Sequence, residues 1–438
     1  MKTTKDTAVR SRRLTSSGGL LAIAWVISSL EGYDLAVYGA SVPAILKNTS
    51  LGVDVSSAGF IGSLVGIGML VGAAFAGAVV HRFGPLRLIT GAVVIFSLGM
   101  LMSAVAPSAE IFGLGRLVVG LGLGVVLPTI NAYIADLSTP SRVSRNVGLI
   151  MSGYAAGALC APLFAAALVD FSFRWLYVIG VVPVLVLAPL LRKLPESPVH
   201  LRRTGRVDDA EAVEAGYGLP AAPPVTTKRP GRFMGLGALL AKGVWWPTLL
   251  FWVMSFCGLL LVFGISAWLP TIMQDAGYSV GSALLQAAAM WVGVGVGVIA
   301  GGRVADVVGP KSVVVIAFLV GTISLVLMSL NPTIWILYVL MFVSGFGFIG
   351  AQIMGNALIV TRYPAELRGN GLPWALAVGR LGAIVGPTLG AVVLSSGVPS
   401  QWNFYAFAIP ALIGASVALL VPRMIGDRYA AAPGATVR

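Results

Sequence analysis

The sequence predicts an all-α polytopic membrane protein, with twelve transmembrane helices in two pseudo-symmetric six-helix halves. Three observations predict it. Hydrophobic residues make up 57% of the 438-residue chain and charged residues only 10%, against about 45–50% and 25% in soluble domains. The excess is spread along the whole chain, with a mean hydropathy of +0.93. Basic residues gather in alternate loops. Together these exclude a soluble enzyme with one anchor, a disordered protein and a secreted disulfide scaffold.

Crossing a hydrocarbon core of about 30 Å takes about 20 mostly apolar helical residues. Twelve stretches qualify: 19–46, 56–80, 86–106, 109–137, 145–169, 173–192, 245–271, 280–302, 312–331, 333–361, 371–395 and 402–424. They are long and lack period-two alternation, which favours helices over a barrel. The 55 glycines suit close packing of helices in lipid. With a cytoplasmic N-terminus, 25 of the 29 Lys and Arg residues fall on the cytoplasmic side, as the positive-inside rule requires. Only Lys47 and Arg174 fall outside, while Arg116 and Arg380 lie within spans. The expectation is a multi-pass plasma-membrane protein with both termini cytoplasmic. The loops also account for the net charge of +13, so the expected surroundings are a lipid bilayer and not nucleic acid. The N-terminus is polar and basic, and the apolar run after it is too long for a signal-peptide core. Cys160 and Cys257 sit in apolar runs and read as small buried hydrophobes.

Residues 193–244 hold six prolines among their charges and read as a cytoplasmic linker with one surface helix around 207–214. They divide the chain into halves at 1–192 and 245–438. The halves repeat. At an offset of 225, Gly77, Gly84-Pro85, Gly120, Gly122, Gly157 and Pro162 fall on Gly302, Gly309-Pro310, Gly345, Gly347, Gly382 and Pro387. At 227, Pro43, Trp175 and Pro183 fall on Pro270, Trp402 and Pro410. Parallel repeats joined by an inner loop are a transporter plan, with the substrate site near midplane between them.

Several motifs carry a resemblance. Gly77-Ala-Val-Val-His-Arg-Phe-Gly84 and its copy Gly302-Arg-Val-Ala-Asp-Val-Val-Gly309 resemble the loop signature of the major facilitator superfamily. Arg116-Leu-Val-Val-Gly120-Leu-Gly122 resembles its fourth-span motif, and Pro195-Glu-Ser-Pro198 the segment after its sixth span. More narrowly, Glu31-Gly-Tyr-Asp34 resembles the first-span motif of the aromatic acid/proton symporter family. Trp268-Leu-Pro270 with Asp275-Ala-Gly-Tyr278, and Gly379-Arg380-Leu-Gly382, support that likeness. The benzoate and gentisate type is the most similar. The resemblance implies the major facilitator fold and import of an aromatic carboxylate with protons. The chain departs from the family at His81, where an aspartate is expected, and at Glu31, which stands for aspartate.

Of the 16 acids only Glu31 and Asp34 lie deep in a span. A charge at mid-helix costs roughly 2.5–3.5 kcal/mol or more, so such residues pair or face a watery cavity. Glu31 and Asp34 are three residues apart and share a helix face. Two carboxylates so close do not both ionise easily, which suits a proton carrier. Arg116 is expected to pair with one of them and tune the proton site; a fixed pair holding two helices together is the rival reading. Arg380 lies near midplane, and its fork of donors suits a substrate carboxylate; an interdomain ion pair is the alternative there.

An aromatic substrate needs ring-lined walls. Tyr33, Tyr38, Trp252, Trp268 and Trp374 are the candidates taken forward, with Phe256 and Trp291 beside them, although such residues also form interfacial belts. Asn131, Gln286, Gln352 and Asn356 are span polar groups that could read a ring hydroxyl or bond another helix. Arg82, Arg87, Arg303 and Asp306, with Arg142 and Arg368, lie where the halves would close on the cytoplasmic side and form a candidate gate. His81 there would leave the gate to Asp306 or make it pH-sensitive.

No nucleotide loop, metal cluster or catalytic set stands out, so no cofactor and no enzyme activity is expected. Gly120-Leu-Gly-Leu-Gly124 has no preceding strand and reads as helix packing. A drug/proton exporter or an aliphatic organic-acid importer is the nearest rival. A monomer is expected.

Overall fold

A computed structural model describes residues 16–168, 171–220 and 234–422. The basic N-terminal residues, the C-terminal tail and Pro223, Pro224 and Pro230 of the expected linker lie outside these. The chain runs through α1 (Ser17–Lys47), α2 (Val55–Phe83), α3 (Pro85–Val105), α4 (Ala109–Asp136), α5 (Val143–Ala167) and α6 (Arg174–Leu191). Three short helices follow: α7 (Pro198–Arg203), α8 (Val207–Tyr217) and α9 (Met234–Leu239). Then come α10 (Trp245–Asp275), α11 (Val280–Val308) and α12 (Pro310–Met328). A single span is built from α13 (Ile334–Gly345), a π-helical turn (Phe346–Gly350) and α14 (Ala351–Arg362), before α15 (Ala365–Ser395) and α16 (Gln401–Leu420) close the chain.

Among the described residues eleven helices, counting α13–α14 as one, are long and apolar enough to cross a membrane. The twelfth span is α6, whose 18 residues lie within the usual range of about 17–25. Spans end where the local chemistry ends them. Asp54 caps α2 by accepting from the Ser57 N–H at 2.7 Å, while the Ser57 hydroxyl accepts from the Asp54 N–H at 2.9 Å, a reciprocal capping box. The reversals from α2 to α3 and from α11 to α12 need a left-handed residue. Gly84 (φ 83°) and Gly309 (φ 86°) supply it, each followed by a proline at the first helical position where a missing N–H costs nothing. Residues 77–84 and 302–309 thus build the same turn twice.

The turns at 48–54 and 276–279 mark one end of the bundle, here called the far end; Gly84, Gly309 and residues 193–220 mark the other, the linker end. Helix α1 packs on α5, and α4 lies between α2 and α3; later in the chain α10 packs on α15 and α12 on α16. Among the described residues the main crossings between the two sets are α2 with α15, α5 with α11 and α1 with α10. Two of them are tight and lie toward the far end. A methyl on Gly39 would overlap the Ser266 carbonyl, and one on Gly59 would overlap the Ala391 side chain. Between them the Ser63 hydroxyl donates to the Ile384 carbonyl at 2.5 Å and lies 2.8 Å from the Thr388 hydroxyl.

Candidate functional site

Glu31 and Asp34 lie midway along α1, on one face, and both are buried. Asp34 bonds Arg116 of α4. The guanidinium donates through both terminal nitrogens, Nη1 to Oδ1 and Nη2 to Oδ2, the second at 3.2 Å. This is the bidentate geometry that Arg offers a carboxylate. The Arg116 guanidinium carbon lies 5.2 Å from the centre of the Tyr38 ring and 5.9 Å from that of Tyr177. Tyr38 donates from its hydroxyl to the Ala58 carbonyl, and the Tyr177 hydroxyl lies 2.9 Å from the Ser41 hydroxyl. The pair is therefore caged by rings that are themselves anchored. Of the two acids, Asp34 alone is bonded to Arg116; Glu31 keeps a buried carboxylate oxygen, Oε2, without a hydrogen-bond partner.

These groups face one cavity. Glu31, Asp34, Arg116, Tyr38 and Tyr154 line one side. Phe263 and Ala267 of α10 and Pro387 of α15 line the other. The far-end crossings stop it on one side. Arg380, halfway along α15, is partly buried and close enough for its charge to act on Glu31. Among the described residues it makes no ion pair or hydrogen bond.

The aromatic candidates separate. Tyr38 lines the cavity. Tyr33 instead donates to the Leu176 carbonyl at 2.7 Å and packs on Phe164, which ties α1 to α6. Trp268 is fully buried and donates from Nε1 to the Pro387 carbonyl at 2.7 Å, so it fastens α10 to α15. Trp252 and Trp374 pair with each other, ring centres 6.4 Å apart, and neither lines the cavity. Tyr154, Phe263, Leu35 and Met69 line it and were not singled out by the sequence. Nothing in their local pattern marks them, because which face of a span meets the cavity is fixed by its neighbours.

At the linker end Arg82, Arg87, Arg303 and Asp306 are exposed, and among the described residues none forms an ion pair with another. His81 bonds Arg203 of α7 through Nδ1. The 195–198 segment is a clamp: Tyr133 donates to the Pro195 carbonyl, Glu196 accepts from the Leu86 N–H and Ser197 donates to Asp136. Gln286 bonds Ser282, and Gln352 bonds Asn356, each within its own helix.

The model of the Major Facilitator Superfamily matches residues 24–301 and 283–435. The chain belongs to the Major Facilitator Superfamily. Within it, a gentisate transporter of Corynebacterium glutamicum is 31% identical over 411 residues, 93% of this chain and 87% of that one. A benzoate transport protein of Acinetobacter baylyi is 30% identical, covering 92% and 89%. A 4-hydroxybenzoate transporter of Pseudomonas aeruginosa is also 30% identical, over 92% and 91%. The fold matches the E. coli xylose transporter XylE in a partially occluded inward-open conformation, with a TM-score of 0.72 at 19% identity, over 93% of this chain and 99% of that one. Membership makes this chain a transporter and not an enzyme.

Proposed function

We propose that this protein imports an aromatic carboxylate of the benzoate, hydroxybenzoate or gentisate type together with protons. It does so by alternating access between two halves, 1–192 and 245–438, joined by the cytoplasmic linker 193–244. The observation that carries the reading is Glu31: a buried carboxylate with an unpartnered oxygen on a cavity wall, acted on by a cation, Arg380, that has no bonded counter-ion. The three relatives' names supply the substrate class.

The chemistry follows from charge. While Glu31 is ionised it offsets the positive charge of Arg380. A proton on Glu31 removes that offset, and an anionic substrate then replaces it, its carboxylate taken by the guanidinium fork. Asp34 and Arg116 form the second proton site: a proton on Asp34 weakens the pair and frees helices α1 and α4 to shift. One proton entering with one monoanion moves no net charge, so it draws on the pH gradient alone; each further proton adds about 2.3 kcal/mol per 100 mV. Tyr38 and Phe263 supply ring surfaces.

The linker end is the cytoplasmic face, because the basic loops lie there, and both termini share it in the plasma membrane. The far-end crossings then close the outside. When the outside opens, Arg82, Arg87, Arg303 and Asp306 approach one another and hold the cytoplasmic side shut. One chain contains the whole path, so a monomer suffices.

Counterflow in proteoliposomes tests the substrate. Vesicles loaded with unlabelled benzoate, gentisate or 4-hydroxybenzoate should draw in the same labelled acid, and Arg380→Ala should not. Absence of exchange with every aromatic acid, from folded protein, sinks the reading.

A further inference from the structure

Glu31 has a neighbour that the transport cycle above leaves unused. Helices α1 and α5 cross as closely as backbones allow: a methyl on Gly32 would overlap the Tyr154 carbonyl, and one on Gly157 would overlap the Ser29 carbonyl. Small residues at both contacts bring the spans together. The crossing fixes Tyr154 beside Glu31, and both side chains line the cavity. Tyr154 makes no hydrogen bond to another described residue through its hydroxyl, and Glu31 Oε2 is buried and unpartnered. Glu31 itself is only 4% exposed. A buried carboxylate oxygen left unbonded is costly unless a ligand completes it, and the Tyr154 hydroxyl stands beside it without a partner of its own among the described residues. Opposite them stand Phe263, Ala267 and Pro387, an apolar face suited to a ring.

We propose that Tyr154 and Glu31 form a polar corner that takes a hydroxyl carried on the substrate's ring, making Tyr154 the residue that sets preference for hydroxylated over plain aromatic acids. The ring hydroxyl donates to Glu31 Oε2 and accepts from the Tyr154 hydroxyl. A carboxyl group keeps an acceptor oxygen in both protonation states, so the contact survives proton loading. The carboxylate remains with Arg380, and the ring lies against Phe263. A site built to bond a hydroxyl discriminates strongly against the analogue lacking it, whereas a plain apolar pocket does not. This inference rests on the aromatic-acid reading above.

The test compares competitors in counterflow. Benzoate, 2-, 3- and 4-hydroxybenzoate and gentisate are titrated against one labelled acid, using the wild type, Tyr154→Phe and Phe263→Leu. In the wild type at least one hydroxylated acid should compete about tenfold better than benzoate, the net worth of about one hydrogen bond. In Tyr154→Phe that ratio should fall toward one. Phe263→Leu, which removes ring contact only, should weaken all the acids in proportion and keep the ratio. A ratio unchanged in Tyr154→Phe overturns the proposal, as does a wild type that prefers no hydroxylated acid while exchanging benzoate. A wild type that exchanges none of these acids overturns the aromatic-acid reading itself, and this proposal with it.

Discussion

Asp34 and Arg116 are both fully enclosed in protein, and at such a site removal of one partner is worse than removal of both. Breaking a buried pair leaves an uncompensated charge and costs about 3–5 kcal/mol, while replacing both by apolar groups is often neutral. Asp34→Asn should therefore lower the thermal unfolding temperature in detergent markedly. Asp34→Leu combined with Arg116→Leu should recover most of that loss, yet neither variant should drive uptake on a pH gradient. Equal stability of the single and double variants would show that the pair does not bear the charge burden assigned to it. Arg380→Lys should keep weak exchange, since an ammonium attracts a carboxylate without the fork. The four charges were legible in the sequence because an ionisable residue in an apolar span is rare and costly. Trp268 was misleading for a related reason. An indole N–H buried in lipid-like surroundings needs an acceptor, and here the acceptor is the carbonyl beside a helix proline, not a substrate. Sequence alone cannot tell those uses apart.

At the scale of helices, function depends on which crossings open and which stay shut. The α1–α5 crossing joins two helices of one half and has backbone against backbone at Gly32 and Gly157. Gly157→Val should leave no room for that approach and should abolish folded protein, read by size-exclusion chromatography. In the proposed cycle the α2–α15 crossing separates instead. Ser63 and Thr388 have their hydroxyl oxygens 2.8 Å apart, so cysteines there should join on oxidation, in a background lacking Cys160 and Cys257. The cross-linked carrier should stop importing, and reductant should restore uptake. Import unchanged by the cross-link would mean that the far end does not open at this crossing. Helix order, the paired turns at Gly84 and Gly309 and the surface helix at 207–217 were all legible, since turn glycines, prolines and apolar length are local signals. Span edges were less so: α11 continues to Val308 and α15 begins at Ala365, because the helices project beyond the apolar stretch and carry their charged ends with them. The π-helical turn at Phe346–Gly350 had no sequence signal apart from its glycines.

For the whole molecule the account makes one claim about direction and one about energy. Direction rests on the basic loops. A single cysteine at Ser50 should react with an impermeant maleimide added to intact cells, and one at Arg87 only after the membrane is broken. The reverse pattern would invert the carrier and turn the stopped end inward. The repeat was visible as a string of glycines and prolines at constant offset, and with it the expectation of a midplane site between the halves; the walls of that site were not, since Tyr154 and Phe263 meet there only through packing. Energy rests on Glu31 and Asp34 carrying protons with the substrate. The most direct measurement follows the pH inside proteoliposomes, with a trapped indicator, as an aromatic acid is added outside in its ionised form at an alkaline pH. Acidification of the lumen in step with entry of the labelled acid, lost in Asp34→Asn, is the predicted result. Labelled acid accumulating with no change in internal pH would contradict proton-coupled import.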